Sequence, residues 1–325
     1  MTADARHEGP AGHVRKASRK RPSVARDLWA LTKPGVTRMC ALTAAGAAWL
    51  ALGDPANPHP ETAADGWCSP GFAAGFAGVV GASLAVASAS AFNMFLERAR
   101  DPLMARTRDR PLAAGRLSAR TALGFAALLC AASVSVLTVY TNPLTTLLAL
   151  WALVGYVLVY TPLKYKTPLA LLIGAFPGAA PPLLGWTAVT GTLDPGGLAL
   201  FAILLVWQMP HFLAITLFRE QEYARAGIRC VSVVRGEANA RLQAALWSAL
   251  LVPISILPSV IGLTGPFYFA VAMLLSLGFL GWACTGLQSF DHHQTAMRWA
   301  RRFFFASLIY LPALIVALVL DVVLS

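Results

Sequence analysis

The chain has 325 residues, of which 57% are hydrophobic and 13% are charged, and its net charge is +11. Soluble globular domains typically contain about 25% charged residues. The low charge and the repeated apolar runs therefore exclude an ordinary soluble enzyme and predict an all-α membrane protein with several spans. We expect membrane lipids as partners of the basic residues, and no nucleic acid.

The N-terminal segment is basic and polar. Residues 1–38 hold nine lysines and arginines, without the apolar run that a secretory signal requires. We expect residues 1–26 to form a disordered cytoplasmic tail near anionic headgroups, and residues 27–325 to form a single transmembrane domain.

Nine apolar segments follow, each close to the length that crosses about 30 Å of hydrocarbon. They are residues 36–53, 72–96, 121–140, 144–160, 169–189, 198–218, 242–262, 267–284 and 303–322. All 26 lysines and arginines lie in residues 1–38, which include the start of the first segment, or in the loops that follow even-numbered segments. Because these residues accumulate in cytoplasmic loops, the pattern predicts nine helices with the N-terminus inside and the C-terminus outside.

Polar residues gather where the second segment ends, in NMFLERARDPLMARTRDRPLAAGRLS, residues 93–118. The spacing of Asn93, Glu97 and Asp101 predicts one shared helix face, and Pro102 predicts that the helix ends near Asp101. Carboxylate and amide oxygens that leave positions open suit Mg²⁺ with a phosphate ligand. The arginines behind them suit the phosphate, because a guanidinium binds its oxygens bidentately. The stretch therefore predicts a magnesium–diphosphate site at the membrane surface.

A second carboxylate group follows the sixth segment, which runs in the same direction as the second. Glu220 and Glu222 are flanked by Arg219, Arg225 and Arg229. Because this group is predicted on the same side of the membrane as the first, we expect carboxylates on two sides of one bound anion.

The fifth and sixth segments contain unusual residues for membrane spans. The stretch IGAFPGAAPPLLGW, residues 173–186, has three prolines and three glycines, which predict a break that protein or a cavity must cover. Pro210 predicts a kink in the sixth helix. Gln208 and His211 share a face there, and ionisable residues inside membranes are functional candidates. Both are therefore candidates for contact with a ligand inside the bundle; a neutral histidine that bonds two helices together is the alternative.

These motifs resemble the UbiA-type intramembrane prenyltransferases, and among them the branch that attaches a farnesyl group to haem. The NxxxDxxxD motif of that superfamily matches Asn93, Glu97 and Asp101, with glutamate at its middle position. The branch pattern DxxMxRTxxRPL matches residues 101–112. Further matches are LTKP at 31–34, YTPLKYKT at 160–167, PGAAPPLLGW at 177–186, WQMPHF at 207–212 and ARRFFFASLIYLPAL at 300–314. The resemblance extends over roughly residues 27–321.

The resemblance implies a nine-helix bundle around a central cavity, with farnesyl diphosphate as donor and haem b as acceptor. It implies Mg²⁺ as cofactor, held by Asn93, Glu97, Asp101 and Glu222. The diphosphate would be contacted by Arg106, Arg110, Lys164 and Tyr160. We predict that His211 and Gln208 contact the acceptor. Glu222 stands where the family usually has aspartate, and RCVS at 229–232 replaces a usual PMLP run.

For such an enzyme the resemblance favours the bacterial inner membrane over the mitochondrial inner membrane. Haem A synthase or a terminal oxidase would be its assembly partners. Two alternatives stay open: a related prenyltransferase that acts on a quinone precursor or another aromatic acceptor, and a membrane transporter. Transporters place charged sites near the bilayer midplane, whereas the carboxylates here are predicted at its cytoplasmic edge.

Overall fold

The computed structural model describes residues 23–54, 69–288, 290 and 293–324. Within these ranges the regular structure is entirely helical, and nine segments are long and apolar enough to cross a membrane. This confirms the predicted all-α architecture and the nine spans. Residues 1–22 of the predicted tail lie outside the described residues, so the boundary after residue 26 and the direction of insertion stay predictions.

The spans agree with the predicted segments to within a few residues, except where a helix continues into a segment that was predicted as a loop. In chain order they are α2 (Pro34–Leu52), α3 (Pro70–Glu97), α4 (Ala119–Tyr140), α5 with α6 (Pro143–Val154 and Thr161–Leu163), α7 with α8 (Ala170–Gly178 and Ala180–Thr190), α9 (Pro195–Phe218), α12 (Glu237–Val260), α13 (Pro266–Thr285) and α14 (His293–Leu324). Three short helices lie outside the spans: α1 (Val24–Leu31), α10 (Glu220–Arg225) and α11 (Val231–Arg235).

Side-chain caps fix where several spans begin. Ser69, Ser118, Asn142 and Asp194 each accept a hydrogen bond from a backbone N–H in the first turn of the helix that follows. Such caps satisfy donors that have no partner within the helix. Each cap therefore sets the level at which its span enters the bundle.

The fifth span breaks between α7 and α8, at Ala179, as its prolines and glycines predict. The side chain of Gln208 donates a hydrogen bond of 3.2 Å to the carbonyl oxygen of Ala175 beside the break. On the far side of the break, a Cβ atom at Gly185 would overlap the carbonyl oxygen of Ala44. The glycine therefore lets α8 lie directly against α2, as small residues do between membrane helices.

The fourth span changes its helix type along its length, whereas the sixth stays one α-helix. The fourth passes from α5 into a π-helical turn, residues 155–160, before α6. The sixth continues as one helix across Pro210, so this proline does not end α9.

The fifth and sixth spans form the centre of the bundle. In their most apolar 18-residue windows 78% and 67% of the residues are buried, against 22% in the third span and 28% in the eighth. α9 packs against α8, α12 and α14, whereas α2 packs against α3 and α8. A small apolar cavity of about 30 Å³ lies among α2, α8, α9, α13 and α14. Residues from the two central spans therefore form much of the protein interior.

Candidate functional site

The helix that carries the first motif ends one turn earlier than predicted. α3 stops at Glu97, and Asp101 begins a short 3-10 turn. The expectation that Asn93, Glu97 and Asp101 share one face of a continuous helix is therefore wrong for Asp101. The physical reason is Pro102, whose ring would clash with the carbonyl group four residues earlier if the helix continued.

Arg110 brings the two separated carboxylates together. Its Nη1 atom lies 2.8 Å from Oδ1 of Asp101 and 3.4 Å from Oε2 of Glu97. Both acidic side chains are buried, with exposed fractions of 0% and 5%. The loop after α3 thus turns back so that its arginine neutralises the acids at the helix end.

Asn93 is fixed by hydrogen bonds at both ends of its amide. The Nδ2 group donates to Oε1 of Glu97 at 2.8 Å and to the hydroxyl oxygen of Thr161 at 3.2 Å. The Oδ1 atom accepts from Nζ of Lys33 at 2.7 Å. Both ends of this buried amide therefore have hydrogen-bond partners, as a buried amide requires.

Two lysines complete this group. Lys164, which follows α6, forms an ion pair with Glu97, and its contact with diphosphate stays a prediction. Lys33, just before α2, was not predicted as a site residue, although LTKP belongs to the resemblance. Its backbone has a φ of 48°, a left-handed conformation that no other described non-glycine residue adopts. Backbone strain of this kind is concentrated at functional sites. It is visible only in the structure, so the sequence alone did not point to Lys33.

Burial opposes the charged form of several of these groups. Burial lowers the pKa of Lys33 to about 7; the positive charge of Arg110 adds to this effect, and Glu97 opposes it. Burial also lowers the pKa of Lys164, again against Glu97. Burial raises the pKa of Asp101, and the positive charge of Arg110 opposes this rise without reversing it. Lys164 and Arg110 each have a carboxylate partner, whereas the hydrogen-bond partner of Lys33 is the neutral amide of Asn93.

Two further predicted residues lie at the edge of the group. Arg106 is exposed, but its charge acts on Lys33 and on Tyr223 of the second motif: burial raises the pKa of the Tyr223 hydroxyl, and Arg106 opposes that shift. Tyr160 lies in the π-helical turn, with its ring centre 6.0 Å from Nζ of Lys164. The charge of Arg106 thus influences a group in each motif, and Tyr160 lies beside the ion pair.

The second motif holds its carboxylates more loosely. On α10, Oε1 of Glu222 accepts a hydrogen bond of 2.9 Å from Arg219. The Oε2 atoms of Glu222 and Glu220 are buried without a hydrogen-bond partner among the residues that the structure describes. The loop that follows is joined to the first motif, because the backbone N–H of Arg229 donates to the carbonyl oxygen of Lys164 at 2.9 Å.

The oxygen donors of both motifs suit a hard divalent cation. In the described part of the chain, no three His, Cys, Asp or Glu side chains converge as a finished metal site. The unpartnered Oε2 atom of Glu222 is nevertheless an acceptor that a cation would satisfy, and Asn93, Glu97 and Asp101 offer amide and carboxylate oxygens. The residues present thus fit Mg²⁺ by their chemistry.

The two predicted acceptor residues lie in a separate, more apolar environment. The ring of His211 lies 4.7 Å from that of Trp207 and 4.8 Å from that of Phe304, and its Nδ1 atom lies 2.8 Å from the hydroxyl oxygen of Ser307. Gln208 bonds to helix backbone. Contact of His211 and Gln208 with an acceptor stays a prediction.

Comparison with known proteins identifies the family. The UbiA prenyltransferase family matches residues 40–309. The protoheme IX farnesyltransferase of Myxococcus xanthus (strain DK1622) is 44% identical over 300 residues, which cover 92% of this chain and 96% of the relative. That of Sorangium cellulosum (strain So ce56) is 50% identical over 242 residues, or 74% and 85% of the two chains. The chain belongs to the UbiA prenyltransferase family.

A solved structure shares the fold at low sequence identity. A UbiA homologue from Archaeoglobus fulgidus, bound to DMAPP and Mg²⁺, superposes with a TM-score of 0.62 at 16% identity, covering 90% of this chain and 99% of the other. The nine-helix bundle is therefore a UbiA-type fold, as the sequence motifs predicted.

Proposed function

We propose that this chain transfers the farnesyl group of farnesyl diphosphate to a vinyl group of haem b, with addition of water, to give haem O and diphosphate. The observation that carries the proposal is the identity of 44% with a protoheme IX farnesyltransferase over 92% of the chain. The site has the charges that such a reaction needs, because its donor substrate is a diphosphate ester.

Diphosphate binding falls to the basic residues of the first motif. Arg110 and Lys164 are held beside buried carboxylates, and Lys33 is held by Asn93. Arg106 is exposed near them and makes no ion pair with any described residue. Together they supply the positive charge that stabilises diphosphate as it leaves with the electron pair of its bond to carbon.

Asn93, Glu97, Asp101 and Glu222 would hold Mg²⁺. When bound, the ion would neutralise the charge that develops on the departing diphosphate. The carboxylates have a second role of their own, since they fix Arg110 and Lys164 in place before the substrate arrives. Positioned charges need no reorganisation during the reaction.

Carbon–carbon bond formation follows at the apolar end of the substrate. The π electrons of the haem vinyl group attack the allylic farnesyl cation, which moves the positive charge to the inner vinyl carbon. Water adds to that carbon and loses a proton, leaving a hydroxyethylfarnesyl group. Early water would instead hydrolyse the farnesyl cation, so a water-poor bundle favours the transfer. The burial of α8 and α9 provides such an interior.

We infer that the protein lies in a bacterial inner membrane with both motifs at the cytoplasmic face. The bacterial relatives and the one-sided distribution of lysine and arginine support this placement. Association with haem A synthase or with a terminal oxidase stays a prediction.

Product analysis tests the function. Full-length protein in lipid nanodiscs would be incubated with haem b, farnesyl diphosphate and Mg²⁺, and the porphyrins analysed by mass spectrometry, with Asp101→Asn as the inactive control. We expect haem O in equimolar amount with released diphosphate. Prenylation of a quinone precursor but not of haem would favour the related prenyltransferase, and uptake of substrate into vesicles without diphosphate release would favour a transporter.

A further inference from the structure

His211 in the sixth span and Ser307 in the ninth are in direct contact inside the bundle. The distance from Nδ1 of His211 to the hydroxyl oxygen of Ser307 is 2.8 Å, and both side chains are buried. The neutral imidazole ring carries one hydrogen, on Nδ1 or on Nε2, so its chemistry depends on which nitrogen holds it.

The surroundings of Ser307 decide where that hydrogen lies. The hydroxyl oxygen of Ser307 is 2.6 Å from the carbonyl oxygen of Phe304. Two oxygen atoms at this distance repel unless a hydrogen lies between them, and only the serine hydroxyl can provide it. Since a hydroxyl has one hydrogen, Ser307 can only accept from His211. The hydrogen of the imidazole is therefore on Nδ1.

We infer that Ser307 is a positioning residue that holds His211 as its Nδ1–H tautomer and so leaves the lone pair on Nε2. In the part of the chain that the structure describes, Nε2 makes no hydrogen bond. A lone pair at this nitrogen can ligate haem iron or take the proton that the added water loses. What Nε2 does rests on the proposed function; the tautomer does not.

The ring is also held against rotation, which makes the tautomer consequential. Trp207 stacks on it at an angle of 23°, and the indole N–H of Trp207 donates to the carbonyl oxygen of Ser307 at 2.9 Å. Phe304 covers the ring at 4.8 Å. Because the bond from Trp207 ends on backbone, replacing the serine hydroxyl removes the bond to His211 and keeps this one.

Nitrogen-15 NMR of the full-length protein in nanodiscs, labelled at histidine, tests the tautomer directly. The chain has six histidines, and the His211→Gln variant identifies the resonances of His211 by their loss. We expect a protonated Nδ1 and an unprotonated Nε2 in the wild type and in Ser307→Thr, and a mixture of tautomers in Ser307→Ala. An unprotonated Nδ1 in the wild type would overturn the inference.

Turnover with haem b tests whether the tautomer matters. Ser307→Ala should lower kcat on the order of 10-fold with the KM for farnesyl diphosphate unchanged, as loss of a hydrogen bond that orients a functional histidine does. Ser307→Thr should restore it. Ser276→Ala is the matched control, because the hydroxyl of Ser276 makes the same 2.6 Å bond to a helix carbonyl. Titration of ferric haem b, followed by its absorption and EPR spectra, separates iron ligation from proton transfer.

The outcomes separate this inference from the proposed function. Wild-type kcat in Ser307→Ala, despite a mixed tautomer, would overturn the positioning role. Absence of haem farnesylation in the wild type would refute the proposed function and leave the tautomer to be judged by NMR alone.

Discussion

The two carboxylate motifs differ in how their charges are held. In the first motif Arg110 comes from the loop after α3, but two further partners come from distant parts of the chain: Lys33 lies 60 residues before Asn93, and Lys164 lies 67 residues after Glu97. In the second motif the only described ion pair of Glu222 is local, with Arg219 three residues earlier, and one carboxylate oxygen of Glu222 is buried without a partner. The first motif is thus built by the tertiary fold, whereas the second is largely a property of one short helix.

The contrast indicates that the two motifs have different tasks, although their residue types are similar. Buried ion pairs keep a fixed geometry, and removing one partner leaves a charge that is costly to bury. Partly exposed local pairs contribute little, and their side chains can change partners. We therefore expect the first motif to be preorganised for diphosphate and the second to complete its coordination when the cation and its substrate bind.

The comparison requires that both motifs face one compartment. If the C-terminus is outside, a reporter enzyme fused after Ser325 that is active only in the periplasm will be active, and one that works only in the cytoplasm will not. A cytoplasmic signal at this position would contradict the predicted orientation, and with it the placing of both motifs at the inner surface.

The largest loss of activity should follow from a change in the first motif. Asp101→Asn removes a buried negative charge, so turnover should fall by at least about 100-fold, the scale on which positioned charged groups act in catalysis. Asp109→Asn is the control in the same loop, since the Asp109 side chain is 88% exposed and its ion pair with Arg108 is long, at 4.0 Å. Similar turnover in the two variants at limiting Mg²⁺ would refute the metal assignment.

A change in the second motif should have a smaller effect that depends on side-chain length. Glu222→Ala removes the carboxylate and should reduce turnover on the order of 10-fold or more, as loss of a charge-stabilising ligand does. Glu222→Asp keeps the charge and should retain most activity. Wild-type rates in Glu222→Ala, measured across a range of Mg²⁺ concentrations, would mean that this carboxylate takes no part in the reaction.

The smallest effect concerns the lysine that the motifs did not reveal. Lys33→Met removes the donor to Asn93 and a basic group whose pKa is lowered by burial to about 7, so the KM for farnesyl diphosphate should rise several-fold, about the effect of one ordinary hydrogen bond. Lys166→Met is the control, because Lys166 is exposed and follows the same turn as Lys164. Equal KM values in the two variants would exclude Lys33 from diphosphate binding.

The fold was largely predictable, because the bilayer imposes a length and a polarity on every span. The break in the fifth span was equally visible, since its prolines and glycines cannot continue a helix without support. The end of α3 was misjudged by one turn: Pro102 has no N–H to close a helical turn around Asp101, and the helix already ends at Glu97.

The site was predictable in its residue types and unpredictable in its connections. Periodicity relates Asn93 to Glu97, because both lie on one helix. It says nothing about Lys33, which reaches Asn93 only through the packing of other spans. Nor does it reveal the bond from His211 to Ser307, which joins residues 96 positions apart. Such pairs are set by tertiary structure, and a single sequence carries no record of them.

The contact between Gly185 and the carbonyl oxygen of Ala44 has a mechanical consequence. At this point the first and fifth spans touch backbone to backbone, so they cannot slide past each other without a collision or a gap that lipid would have to fill. A protein that rocks one half of its helical bundle against the other needs helices that can slide at their interface. The contact between α2 and α8 prevents such sliding. We expect substrates to enter and leave through movement of the loops that carry the two motifs, while these two spans keep their relative position. Any side chain larger than hydrogen at position 185 should force the two spans apart.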